Sequence, residues 1–142
     1  MDWVRAEVIR CHYDCIRCRF FRVGDFRRLL AWQSADCLCT AVYAALRHFP
    51  ADERFALTAQ LRRAAVSVPT NLAEGQAAYG VRERLRYTGI AAASLTEVGQ
   101  LVHRARRCGY LSREQHQDLT RLGRQAGLLV YGLLRSLRKL KA

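Results

Sequence analysis

Residues 60–75 read Gln-Leu-Arg-Arg-Ala-Ala-Val-Ser-Val-Pro-Thr-Asn-Leu-Ala-Glu-Gly. Leu61, Ala65, Val68 and Leu72 recur at the three-and-four spacing that puts side chains on one side of an α-helix, and Leu57 extends the row upstream. At about 100° per residue, Gln60, Arg63, Ser67, Asn71 and Glu74 form a polar stripe roughly a third of a turn away. Polar groups beside a core need partners. Arg63 and Glu74 stand too far apart to pair along one helix, so each is expected to meet another helix, where Ser94 and Glu97 are the candidates. A hydrogen-bond network between helices or subunits, fixing their register, is the first reading of this stripe; ligand binding is the second. Pro69 lies inside the pattern, removes a backbone donor and crowds the carbonyl of Ala65. A kink is expected there, or a break recapped by Asn71 and Glu74.

Outward from this segment the whole chain reads as helix. The second helix is expected over roughly Asp52 to Ala78, following a first from Asp25 to His48 with Leu29, Ala35, Leu38, Val42 and Leu46 inward and Asp25 as N-cap. The third spans Val81 to Cys108 and carries two adjacent stripes: Leu85, Thr88, Ala92, Leu95, Gly99 and Val102, then Ile90, Ser94, Val98 and Leu101. So wide an apolar surface points to burial on more than one side, as in an oligomer. The fourth opens at Ser112 with Gln115 as a capping box and runs to Lys139 through Leu119, Leu122, Ala126, Leu129, Leu133 and Leu137, close to a strict heptad. Gly123 and Gly127, each costing about 1 kcal/mol against alanine in a helix, suggest a neighbouring helix passing close. No strand pattern competes. Short punctuation at Phe49-Pro50, Tyr79-Gly80 and Gly109 to Ser112 favours an all-α, antiparallel up-down-up-down four-helix bundle over residues 25–142.

Residues 1–24 stand outside that pattern, as an N-terminal extension with three cysteines and five arginines in its first 22 positions. Two readings stand: a docked extra helix, or read-through from an early start codon with Val23 as the true start, the second being favoured. Cys11, Cys15 and Cys18 have the spacing of a radical iron–sulfur motif and His12 adds a zinc-type ligand, but that chemistry needs an α/β barrel, so incidental thiols are expected. Cys37, Cys39 and Cys108 fit as small core or surface residues. The histidines at 12, 48, 103 and 116 make no metal-binding pair, and no phosphate loop or nucleophile elbow is present. An enzyme, a cofactor and a metal are therefore not expected.

At 142 residues, with half of them apolar, the chain fits one domain with a real core. No apolar run approaches the roughly 20 residues that span a bilayer, and the first residues lack a signal-peptide core, so no membrane partner and a cytoplasmic location are expected. Formal net charge is +12, and residues 81–142 hold thirteen Arg or Lys against four acids. In the proposed topology the starts of helices one and three share an end with the finish of helix four. Arg27, Arg28, Arg82, Arg84, Arg86, Arg135, Arg138, Lys139 and Lys141 then gather at one pole. Cations suit the end of helix four, whereas Arg82, Arg84 and Arg86 oppose the dipole at a helix start, so another demand places them there. Anion binding and an ordinary solvated face both remain readings. Tyr79 and Tyr87 lie near that pole, although aromatics at helical spacing are more often core.

The stretch from Gln60 to Gly75 resembles the signature of the four-helix-bundle proteins encoded by intervening sequences in bacterial 23S ribosomal RNA genes. Asp25-Phe26, Trp32-Gln33, Val42-Tyr43, Phe49-Pro50, Glu53, Leu57-Thr58, Ile90-Ala91, Ser94, Glu97 and Gly109-Tyr110-Leu111 continue the resemblance, which runs from Asp25 to the end. Ala93 stands where members often carry glycine. The resemblance implies an antiparallel bundle assembling as a homopentamer, with no established catalysis and a suspected role in binding RNA. The chain is more distantly similar to the accessory variability determinant proteins of diversity-generating retroelements, which bind nucleic acid and a reverse transcriptase. The leading expectation is a non-enzymatic, homo-oligomeric RNA-binding protein using a basic surface against phosphates. The runner-up is a structural or adaptor protein whose partner is a protein such as a nucleic-acid enzyme.

Overall fold

The structure, a computed structural model, describes residues 25–141. Four helices make up most of it: α1 (Leu30–Leu46), α2 (Leu57–Ala77), α3 (Val81–Arg107) and α4 (Arg113–Lys141). Each packs on its neighbour in sequence, and α1 closes the bundle against α4. Cross-helix pairs fix the directions: Ser67 meets Ser94 and Gln76 meets Arg84 between α2 and α3, while Leu95 faces Gly127 and His103 faces His116 between α3 and α4. In both pairs one number rises as the other falls, so the neighbours are antiparallel. Among the described residues no helix is long and apolar enough to cross a membrane.

The helix boundaries follow local chemistry. Asp25 caps not α1 itself but a 3₁₀ turn over Phe26–Arg28, and α1 starts only at Leu30. A second 3₁₀ turn over Ala51–Phe55 takes the place of the expected first turn of α2, which therefore begins at Leu57. There Glu53 accepts from the Leu57 N–H at 3.1 Å, satisfying one of the donors a helix start leaves open. Helix α3 ends in a Schellman motif, with Gly109 at φ +80°, its N–H donating to Arg106 O and that of Tyr110 to Ala105 O. Ser112 and Gln115 form the anticipated reciprocal capping box at the start of α4.

The core contains the anticipated rows of α1 and α2: Ala35, Leu38, Val42 and Leu46 with Leu57, Leu61, Ala65, Val68 and Leu72, while Leu29 packs against it half-buried. Each fully buried leucine contributes about 1.5–3 kcal/mol. Four expectations need correction. First, of the kink or break expected at Pro69, the break is absent: α2 runs as one helix through Pro69, which is buried, and Asn71 caps no new helix and instead donates to the Ser67 carbonyl at 2.8 Å. Second, the buried row of α4 passes from Ala126 to Val130 and Leu134, with Leu129 and Leu133 only partly buried. A straight helix drifts about 20° per heptad, so its inward row steps by four more often than a heptad does. Third, Ala91, Ala92, Ser94, Leu95, Val98, Leu101 and Val102 of α3 are all buried within the single chain. Much of the apolar width of α3 is taken up between α2 and α4, while Ile90 of the second stripe stays 38% exposed.

The fourth correction concerns glycine. A Cβ added at Gly123 meets nothing within 4 Å, and one at Gly127 makes only ordinary contact with Leu95 at 3.7 Å. The close approach is at Gly75, where an added Cβ lies 3.1 Å from Cβ of Tyr87, an atom fixed to the backbone of α3. Gly123→Ala is therefore expected to stabilise the fold by about 0.5–1 kcal/mol, raising the melting temperature by about 2–4 °C. Gly75→Ala should show none of that gain in the same calorimetric scan.

Candidate nucleic-acid interface

The antiparallel order brings the starts of α1 and α3 to the same end as the finishes of α2 and α4. Between the first turns of α3 and the last turns of α4 lies an open cleft of about 840 Å³. Arg82, Glu83, Arg86, Arg138 and Lys141, all exposed, form its rim, and Leu85, Gly89, Ala92, Tyr131 and Leu134 line it below. The helical repeat explains this selection. Arg82, Arg86 and Gly89 lie within one face of α3, and Tyr131, Leu134, Arg138 and Lys141 recur at three-and-four spacing along α4. Arg86 is partly committed: it bonds Glu83 at 3.1 Å and lies over the Tyr87 ring at 4.4 Å. The Glu83 carboxylate, by hydrogen bond and then by charge, holds its guanidinium pKa above the usual arginine value. Arg82, Arg138 and Lys141 make no ion pair with a described residue.

The other cations of the anticipated pole are distributed differently. Arg84 turns towards α2, donating to Gln76 at 3.0 Å. Arg27 is held by Asp25 through Nε at 2.8 Å and a second bond at 3.3 Å. Arg28, Arg135 and Lys139 are exposed but do not line the cleft. Sequence reasoning passed over Tyr131 and Gly89, whose place in the cleft depends on how α3 and α4 rotate against each other. Tyr79 is 97% exposed in the turn before α3, so it is surface, not core, while Tyr87 is half-buried under Arg86.

The polar stripe of α2 is only partly a network. Ser67 and Ser94 share a hydrogen bond at 2.8 Å, and Asn71 donates to the Ser67 hydroxyl at 3.0 Å. Gln60, Arg63, Glu74 and Glu97 are exposed, and Ser94 pairs with Ser67 rather than with Arg63 or Glu74. Those long polar side chains keep their heads in water at the surface.

The remaining motif residues also have local tasks. Phe26 packs edge-on against Trp32 with ring centres 4.8 Å apart, and Gln33 donates to the Arg27 carbonyl at 2.7 Å. At the opposite end, Phe49 lies against Tyr110 at 5.6 Å, and the Tyr110 hydroxyl donates to Glu53 at 3.0 Å. Cys39 is half-buried and its thiol is pushed up to about 11, by burial first and Asp36 second, so it stays protonated at neutral pH. Cys37 is half-buried and Cys108 exposed. Among the described residues no three His, Cys, Asp or Glu side chains come together as a metal site; Cys11, Cys15, Cys18, His12 and the question of the N-terminal extension lie outside them.

The class is an all-α four-helix-bundle protein, with several of its motif residues serving in caps, ring contacts and helix packing and with clusters of basic residues at its helix ends. A family model, 23S rRNA-intervening sequence protein, matches residues 27–132, and the chain belongs to that family. A search of curated proteins gives no match. The family match stops short of the chain's end, so it covers the α3 side of the cleft and Tyr131 but not Leu134, Arg138 or Lys141.

The Asp25–Arg27 pair carries a pH signature. The Arg27 hydrogen bond holds the Asp25 carboxyl below its ordinary 3.8. A carboxyl lowered by folding adds stability above the unfolded value, and that stability is lost as pH falls below 3.8 through the folded midpoint. A carbon-13 titration should place the Asp25 midpoint below 3.8, and Arg27→Ala should return it towards that value.

Proposed function

We propose that the protein is a non-enzymatic, homo-oligomeric RNA-binding protein that engages phosphate backbones at its basic end. The observation that carries this reading is the cleft rim, where four cations face a single acid and three of the cations have no acidic partner among the described residues. Clustered like charge destabilises a fold, and phosphates would offset it while releasing condensed counterions. Arginine adds planar, bidentate recognition of phosphate oxygens. Family membership supports the bundle and is compatible with a partner tied to ribosomal RNA. Assembly as a homopentamer belongs to the same proposal and rests on the family resemblance.

A second reading, an adaptor for a protein partner such as a nucleic-acid enzyme, is favoured by one observation. Leu30, Tyr79 and Leu140 are largely exposed at the same end, among the cations. Nuclease-resistant co-purification with a defined partner enzyme would support it over the first.

Filter binding at rising salt separates the two. Arg82→Ala with Arg138→Ala is expected to weaken RNA binding about tenfold or more at low salt and to flatten the salt slope by about one to two units. Identical affinity and slope for wild type and variant would remove the cleft as the phosphate site. Light scattering giving a monomer at micromolar concentration would remove the oligomer.

A further inference from the structure

The rim of the cleft suits phosphate, but its lining does not. Below the cations lie Leu85, Gly89, Ala92, Tyr131 and Leu134, an apolar and aromatic surface whose one side-chain donor is the Tyr131 hydroxyl. Tyr131 is 50% exposed although Val130 beside it is fully buried, so its ring stands at the boundary between core and cleft. Gly89 sits in the middle of α3, where glycine weakens a helix, and a Cβ there would meet nothing within 4 Å. Packing within the chain does not require that glycine, and its effect is to leave the cleft wide opposite Tyr131. A cationic rim above an aromatic, unfilled hollow is the combination that holds a nucleotide by both its parts: phosphate outside, base inside.

We propose that the cleft takes an unstacked base of single-stranded RNA against Tyr131, with the flanking phosphates on Arg82, Arg138 and Lys141. This rests on the phosphate-binding reading above and narrows it to one substrate class. A duplex presents phosphates and riboses with its bases stacked inside, so it meets the rim and leaves the hollow empty. A single strand can turn a base out, and base–aromatic stacking is tolerant of sequence because every base has a π face. The cleft volume lies within the range of pockets that enclose small organic ligands, ample for one base and its sugar. Arg86, already held by Glu83 and Tyr87, closes the rim rather than gripping the strand.

Fluorescence anisotropy on the full chain tests this with three probes: a short labelled oligouridylate, an abasic strand of equal length, and an RNA duplex carrying the same number of phosphates. The expected result is binding of oligouridylate about tenfold or more tighter than of the other two. Tyr131→Ala should abolish that preference and Tyr131→Phe should keep it. Gly89→Leu, checked for an unchanged thermal melt, should also abolish it by filling the hollow, while Arg138→Ala should weaken all three probes alike. Equal binding of the three probes to wild type overturns the base pocket and leaves phosphate binding standing. No binding of any probe overturns both, and a folded Gly89→Leu protein that keeps the preference overturns the location.

Discussion

The backbones of α2 and α3 approach closely at residue 75, which has no side chain. A Cβ placed there would lie 3.1 Å from the Cβ of Tyr87, so a larger residue needs its neighbour to give by a few tenths of an ångström near the turn the two helices share. Several other contacts share the same rotation of α3 about its own axis. Ser94 arrives opposite Ser67, so their hydroxyls bond each other, and Thr88 is buried with its hydroxyl returned to the Arg84 carbonyl at 2.7 Å. Arg84 reaches Gln76 on the α2 side. On a helix, residues two apart point in opposed directions. Arg82 and Arg86 consequently flank Arg84 in sequence yet face α4, and there they meet Arg138 and Lys141.

The two ends of the bundle are built to different standards. At the end away from the cleft, one carboxylate serves two elements: Glu53 accepts from the first N–H of α2 and from the Tyr110 hydroxyl in the α3–α4 turn. That acceptance by the carboxylate raises the Tyr110 pKa above its ordinary 10.0, as expected for a phenol whose protonated form is the bonded one. Phe49 covers the same tyrosine. At the basic end Asp25 holds Arg27 and Glu83 holds Arg86, and the last turn of α4 carries Arg138, Lys139 and Lys141. Cations there are favourable to the dipole of α4, whereas those at the start of α3 are not, and Glu83 alone in that first turn compensates. Charge that the fold does not neutralise is available to a partner.

What the sequence made legible was the architecture that local rules control. Periodicity and turn chemistry are properties of neighbouring residues, so the four helices, their order, the capping box at Ser112 and the inward rows of α1 and α2 could all be read. Helix rotation is not local. Whether Gly123 or Gly75 marks a close approach, whether Val130 or Leu129 turns inward, and which arginines share a cleft depend on contacts between segments far apart in the chain. The polar stripe of α2 shows the same division. Its position beside the core was readable, but that Ser67 rather than Arg63 would stand opposite Ser94 depends on the register of α2 against α3.

Several residues of the motif and the residues that line the cleft are different sets. Ser67, Asn71, Gly75, Ser94, Glu53, Tyr110, Phe26 and Trp32 each have a structural task within the bundle. A shared motif of that kind reports a shared fold, and fold alone does not fix function. The cleft draws instead on Arg82, Tyr131, Arg138 and Lys141, two of which lie beyond the matched segment. Helix α4 continues past residue 132 with its inward row intact at Leu134 and Leu137, so the bundle extends there as one piece while its surface becomes strongly basic. At that end of α4 and the facing turns of α3, packing leaves both charge and room.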